Sequence, residues 1–271
     1  MSYINKLNAQ QKNYALYVIQ DLIKNNVTNP ITIASILAVI SKESGFTPRN
    51  ETTYKNTSVD RIRKVFTSRV ANLTDNEINN LKKSDEKFFE WVYGKQFENI
   101  LRLGQEKIGD GFLYRGRGFN GLTGRGNYRK YGKLINVDIE KQPELVNNID
   151  VGSKILIAYM KGRAKFWKLD INNIGNAQKT LDTIYLFNSG GNINKPIYDT
   201  TGGYNMAKTR YNDFYKFVNE NLNKMPNKDY LINTSEQEPE KKNNLFSAFS
   251  TFMIAVLGYF IYKKVFIKQV A

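Results

Sequence analysis

Nine glycines fall within the 29 residues from Gly104 to Gly132. No other feature limits the fold as strongly. Glycine loses more backbone freedom on ordering than any other residue, so a stretch this rich in it does not favour long regular elements. The segment is expected to be irregular and tightly turned, with arginines and aromatics interleaved between the glycines. Helical periodicity surrounds it. Tyr14, Ala15, Val18 and Leu22 share one helical face between Ala9 and about Asn25. Pro30 suits the first turn of a second helix, Ile31 to about Glu43, whose sequence ITIASILAVISKE is apolar enough to be buried. Ser58–Val70 and Thr74–Tyr93 read as amphipathic helices, and helical patterns return at Asp150–Lys165, Ala177–Leu186 and Met206–Leu222. Asn188–Gly203 reads as a Gly/Asn-rich loop. Alternating strand patterns are few and no internal repeat is present, so a mostly helical chain is expected.

Two absences narrow the chemistry. The 271 residues include no cysteine and no histidine. Disulfides, thiol nucleophiles, Ser-His-Asp triads and His-ligated zinc are therefore excluded, and acid–base work falls to Asp, Glu, Lys or Tyr. The formal net charge is +15. Only +1 of it comes from residues 229–271, which hold five lysines and four acids. A charge of this size suits a polyanionic partner such as nucleic acid, anionic lipid or an anionic cell wall. It also fits a plain Lys- and Asn-rich bias that keeps the chain soluble.

The N-terminus has no apolar stretch of the signal-peptide kind. At the other end, residues 227–244 (NKDYLINTSEQEPEKKNN) read as a polar linker. Leu245–Tyr262 follows, an uncharged run of 18 residues. At about 1.5 Å per residue it is long enough for a hydrocarbon core. Lys263 and Lys264 then begin a basic tail, residues 263–271. A single-pass, C-terminally anchored membrane protein is expected, with a lipid membrane as partner through Leu245–Tyr262.

Three constellations could carry chemistry. Glu43 ends the apolar helix, where the dipole and lost solvation both disfavour its charge, as suits a general acid. On position alone, a solvated glutamate at a frayed helix end is the commoner case. Glu51 lies eight residues on, past Gly45, Pro48 and Asn50. A loop can fold back over that distance to pair two carboxyls, as inverting glycosidases require, but the spacing does not compel it. Tyr114–Gly132, YRGRGFNGLTGRGNYRKYG, contains a formal G-x-G-x-x-G at Gly116, Gly118 and Gly121. A dinucleotide site is rejected because no apolar strand leads in, and because Gly124 and Gly126 should interrupt the helix that such a site needs. The arginines and aromatics would also suit a nucleic-acid loop, but they match no named motif of that kind. A glycine-rich surface loop without a site is the third reading.

The segment GDGFLYRGRGFNGLTGRGNYRKYGK, with the later DIEKQPELV, resembles the signature of family-19 glycoside hydrolases, the plant-type chitinases and their endolysin relatives. KESGF places Glu43 where that family carries its acid, and Glu51-Thr52-Thr53-Tyr54 occupies the place of the second acid. Thr123 falls on the Ser/Thr that steadies the attacking water and Asn127 on the motif's Asn. Phe187–Gly191 corresponds loosely to a late loop of the family, and Arg210 to a basic residue of its final helix. The resemblance spans about residues 30–215, and its Tyr114–Tyr131 part is the specific one.

The resemblance implies an α+β, mostly helical, lysozyme-like domain over residues 1–226. It implies an inverting acid/base glycoside hydrolase with Glu43 as acid and Glu51 as base, the water held by Thr123. Tyr114, Arg117, Asn127, Tyr128, Asn188 and Arg210 would bind substrate. No cofactor or metal is implied, and no nucleic acid is expected. The substrate would be peptidoglycan or a chitin-like glycan. Charge and anchor together favour peptidoglycan and a lytic protein of a phage or bacterium, placed in a host membrane or a membrane-containing virion. Three departures stand out: Lys42 replaces the family's usual His, Gly121 its usual Gln, and Asn120 an aliphatic residue. A lytic transglycosylase, whose E-S-x-F-x-P motif KESGFTP also resembles, is an alternative. So is an inactive, membrane-anchored wall-binding or virion-structural protein.

Overall fold

The computed structural model describes residues 2–197 and 202–224. Eleven α-helices lie among them: α1 Ala9–Lys24, α2 Pro30–Glu43, α3 Val59–Phe66, α4 Asp75–Leu81, α5 Asp85–Tyr93, α6 Glu98–Leu101, α7 Asp110–Leu113, α8 Arg125–Ile135, α9 Ile149–Phe166, α10 Ala177–Asn188 and α11 Gly203–Asn221. Among the described residues there is no strand, only an isolated antiparallel bridge between Arg117 and Leu122. The α+β class is thereby corrected to a helical one. The helical content agrees with the mostly helical, lysozyme-like expectation.

The described residues divide into two compact units. The first comprises residues 2–49, 118–120, 144–197 and 202–224. Its centre is α2, buried from Thr32 through Glu43 as its apolar sequence requires, with α10 and α11 packed on it. Asn29 caps α2 and Pro30 opens it, both as helix starts prefer. Phe46, just beyond α2, packs on Phe214 of α11 at 5.4 Å between ring centres.

The second unit comprises residues 50–117 and 121–143. Its core is aromatic: Tyr54 stacks on Phe88 at 4.9 Å and meets Phe66 edge-on at 5.1 Å. Phe89, Val92 and Tyr93 of α5 complete the cluster with Ile62, Val65 and Ile78. The helix expected over Thr74–Tyr93 is two, because each half carries its own start signal. Thr74 and Glu77 form a capping box for α4, and the Ser84 side chain accepts the Lys87 N–H at the start of α5. The Ser58–Val70 helix stops at Phe66, where Thr67 turns to φ +27°.

The Gly-rich segment is more ordered than its composition predicts. Helix α8 begins directly after Gly124 and runs through Gly126 and Gly132, burying Tyr128 and Tyr131. A helix does therefore follow the G-x-G-x-x-G run, and only the missing strand still argues against a dinucleotide site. Arg125 pairs with Asp110 and Glu140, and Arg129 with Glu106 and Glu140, which ties α8 to α7 and to the chain after α8.

The expected membrane localisation is corrected. Among the described residues, no helix is long and apolar enough to cross a membrane. Leu245–Tyr262, on which that expectation rested, lies outside the described residues, as do the linker 227–244 and the tail 263–271.

Candidate active site

Glu51 is a buried carboxyl of the second unit. Only 7% of it is exposed, and its carboxyl is enclosed by the aromatic core. The Tyr93 hydroxyl donates to Oε1 at 3.0 Å and the Tyr54 hydroxyl at 3.2 Å. The backbone of Glu51 donates to the Gly116 carbonyl at 2.7 Å, and the Gly116 N–H returns a long contact of 3.4 Å to Oε2. Burial pushes the carboxyl up from 4.5 to about 7. The hydroxyls of Tyr93 and Tyr54, the Gly116 N–H and the charge of Arg69 oppose that rise without cancelling it. Arg69 is itself buried, over the rings of Phe66 and Tyr93 at 4.7 and 5.5 Å. Its Nη1 donates to the Val92 carbonyl, whereas Nη2 has no hydrogen-bond partner among the described residues.

Gly116 is fitted to this arrangement. A Cβ there would lie 3.0 Å from Glu51 Oε2 and 3.4 Å from Thr123 Oγ1, so the carboxyl and the hydroxyl both pack against the side-chain-free face of the glycine. Thr123 is 5% exposed, donates to the Gly121 carbonyl at 2.8 Å, and has its own carbonyl held by Asn127 Nδ2 at 2.7 Å. Of the sequence-predicted residues, Glu51 and Thr123 are thus brought together at Gly116, and Asn127 is bonded to the backbone of Thr123.

Tyr114, Arg117 and Tyr128 belong to the same unit but are buried within it. The Tyr114 hydroxyl donates to the Glu140 carbonyl at 3.0 Å. Arg117 Nη1 donates to the Tyr128 hydroxyl at 2.9 Å and to the Leu113 carbonyl at 2.7 Å. Tyr128 in turn donates to the Arg115 carbonyl at 2.9 Å. Burial pushes the Tyr128 hydroxyl up to about 12, against the pull of Arg117. These three side chains hold the 113–117 turn against α8.

Glu43, Asn188 and Arg210 lie in the first unit. Glu43 is the last residue of α2 and is buried, and it is not alone: Lys42 Nζ donates to Oε1 at 2.9 Å. Asn188 ends α10 and is 7% exposed, with a buried Oδ1 that has no hydrogen-bond partner among the described residues. Arg210 lies over the Tyr3 ring at 3.9 Å and donates to Ser41 Oγ at 3.2 Å, one residue before Lys42. Burial lowers its guanidinium from the usual arginine range.

Sequence reasoning did not find Tyr93 and Arg69. They lie 42 and 18 residues from Glu51, and their only signal is membership of buried helix faces. Lys42 was legible only as a departure from a motif, and Tyr54 only as part of one.

No family model matches the chain. A curated protein of Haemophilus influenzae, named a glycosyl hydrolase family 19 domain-containing protein, is 37% identical to it over 79 residues. That stretch is 29% of this chain and 39% of the relative, so the match spans about two fifths of the relative's length. Over that stretch the chain is similar to a family-19 glycoside hydrolase domain protein.

Proposed function

We propose that the chain is a glycoside hydrolase that cleaves β-1,4 bonds in polymers of N-acetylated amino sugars, peptidoglycan first among them. The observation that carries this reading is the convergence of a buried carboxyl, Glu51, and a hydroxyl, Thr123, at Gly116. A carboxyl and a hydroxyl this close together supply two polar partners by which a water can be held and activated. Glu51 takes a proton from that water, Thr123 orients it, and Glu43 gives a proton to the leaving glycosidic oxygen. Water then adds from the face opposite the leaving group, with inversion. Tyr54 and Tyr93 both donate to Oε1, so Oε2, with only the long contact from the Gly116 N–H, is the oxygen that takes the water's proton.

In this reading Asn127 sets the Thr123 backbone, and Tyr114, Arg117 and Tyr128 support the turn that carries Gly116. Asn188, whose Oδ1 has no partner among the described residues, and Arg210 are the candidates for sugar contacts in the first unit. The catalytic domain covers residues 1–226. The net charge of +15 suits an anionic wall polymer better than neutral chitin.

The test is hydrolysis of purified peptidoglycan by the wild-type chain and by Glu43→Gln and Glu51→Gln. Each variant should fold and lose at least about 10²-fold in rate, the usual share of general acid or base catalysis. A folded Glu51→Gln protein that retains full activity and yields anhydro sugar ends would make the chain a lytic transglycosylase. No hydrolysis by the wild type, with retained wall binding, would make it a binding protein.

A further inference from the structure

Helix α2 ends in two consecutive ionisable residues, and the fold buries both. The Lys42 side chain is 1% exposed and that of Glu43 5%, with Nζ 2.9 Å from Oε1. Neighbours in a helix sequence do not face one another, so helix geometry does not bring these groups together. The lysine stem must turn back toward its neighbour, and the first residue of α11 leaves it the room. A Cβ on Gly203 would lie 2.5 Å from Lys42 Cε and 2.9 Å from Nζ. Lys42, Glu43 and Gly203 are fitted to one another.

A proton donor must hold a proton, and a carboxylate in an ion pair holds none. The two requirements are reconciled if the lysine keeps the transferable proton. An ammonium–carboxylate pair and its neutral amine–carboxylic acid form contain the same number of protons. They differ by the movement of one proton across a single hydrogen bond. Exclusion of water penalises the charged form more than the neutral one, so a dry site narrows the gap between them.

Building on the reading in which Glu43 protonates the leaving oxygen, we infer that Lys42 is the positioning residue and proton reservoir of Glu43. A proton passes from Lys42 Nζ to the Glu43 carboxyl. When the glycosidic C–O bond breaks, its electron pair stays on oxygen and takes that proton. The pair is left as Lys42 amine and Glu43 carboxylate. The attacking water gives its proton to Glu51, which releases it to solvent, and solvent returns one to Lys42. The sum is the addition of one water across one glycosidic bond.

Leaving-group dependence tests this. Lys42→Met removes the proton and keeps most of the stem. Lys42→Arg keeps a cation that does not give up its proton. Gly203→Ala leaves the lysine in place but drives a Cβ against it, and so serves if the Lys42 variants fail to fold. All three should lose about 10²-fold or more on peptidoglycan. On a nitrophenyl glycoside of an N-acetylglucosamine oligomer, whose leaving group needs little protonation, the deficit should shrink at least about tenfold. Equal losses on both substrates would mean a merely structural role and overturn the inference. So would full peptidoglycan activity in Lys42→Met or Lys42→Arg. Glu43→Gln separates the two levels. If it remains active on peptidoglycan, the acid assignment itself fails. If it is inactive while the Lys42 variants are active, only the reservoir fails.

Discussion

Replacing Glu51 with glutamine should make the protein inactive and, above neutral pH, more stable. In the folded state the Glu51 carboxyl is raised from 4.5 to about 7 by burial. Between those two values the folded chain holds a proton that the unfolded chain has released, so stability falls as pH rises through this window. Above it the full penalty applies, about 3 kcal/mol at 1.4 kcal/mol for each tenfold step. Glutamine carries no charge and escapes the penalty. Its Oε1 can still accept from Tyr54 and Tyr93, but its amide would meet the Gly116 N–H donor to donor, at a cost of about 1 kcal/mol. The variant should therefore be about 1 kcal/mol less stable than wild type at pH 4.5 and about 2 kcal/mol more stable at pH 9. Urea melts of both proteins across that range measure the difference directly, and other titrating groups cancel in it. A stability difference that does not change with pH would refute the burial of a neutral carboxyl, and with it the raised value.

Three further outcomes follow from the same geometry. If Glu51 is the base, peptidoglycan hydrolysis should climb through about pH 7 as its carboxyl ionises, and a rate already flat from pH 5.5 upward would contradict this. Tyr93→Phe removes a donor that favours the charged carboxylate, so the same limb of the rate profile should move to higher pH; an unmoved limb would show that the bond has no such effect. Gly116→Ala places a methyl group between Glu51 and Thr123, and should cost at least about 10²-fold in kcat with less effect on KM, which steady-state kinetics would resolve.

Much of the fold was written in periodicity. The apolar run of α2 implied a helix buried on all sides, and it is buried from Thr32 to Glu43. Composition misled where a few residues outweighed many. The glycine count hid α8, because Tyr128 and Tyr131 supply a buried face that its glycines do not abolish. Thr74 and Ser84 are both good helix starters, and they divide one amphipathic stretch into two helices. Glu43, Glu51 and Thr123 were candidates by motif position alone. The partners that set their chemistry were not. Tyr93 and Arg69 reach Glu51 only through the packing of an aromatic core, and the turn of Lys42 toward Glu43 depends on a glycine that stands 161 residues later. Tyr114 and Tyr128 look like sugar platforms in sequence, yet the fold uses them internally, because a buried hydroxyl must find an acceptor.

The stereochemistry of the first product tests the central claim most directly. Proton NMR taken during the first minutes of digestion of a soluble β-1,4-linked N-acetylglucosamine or peptidoglycan oligomer reads the anomer before it equilibrates. Inverting hydrolysis, with Glu43 as acid and Glu51 as base, predicts the α-anomer at the new reducing end. A β-anomer, or an anhydro end without a reducing sugar, would contradict the account.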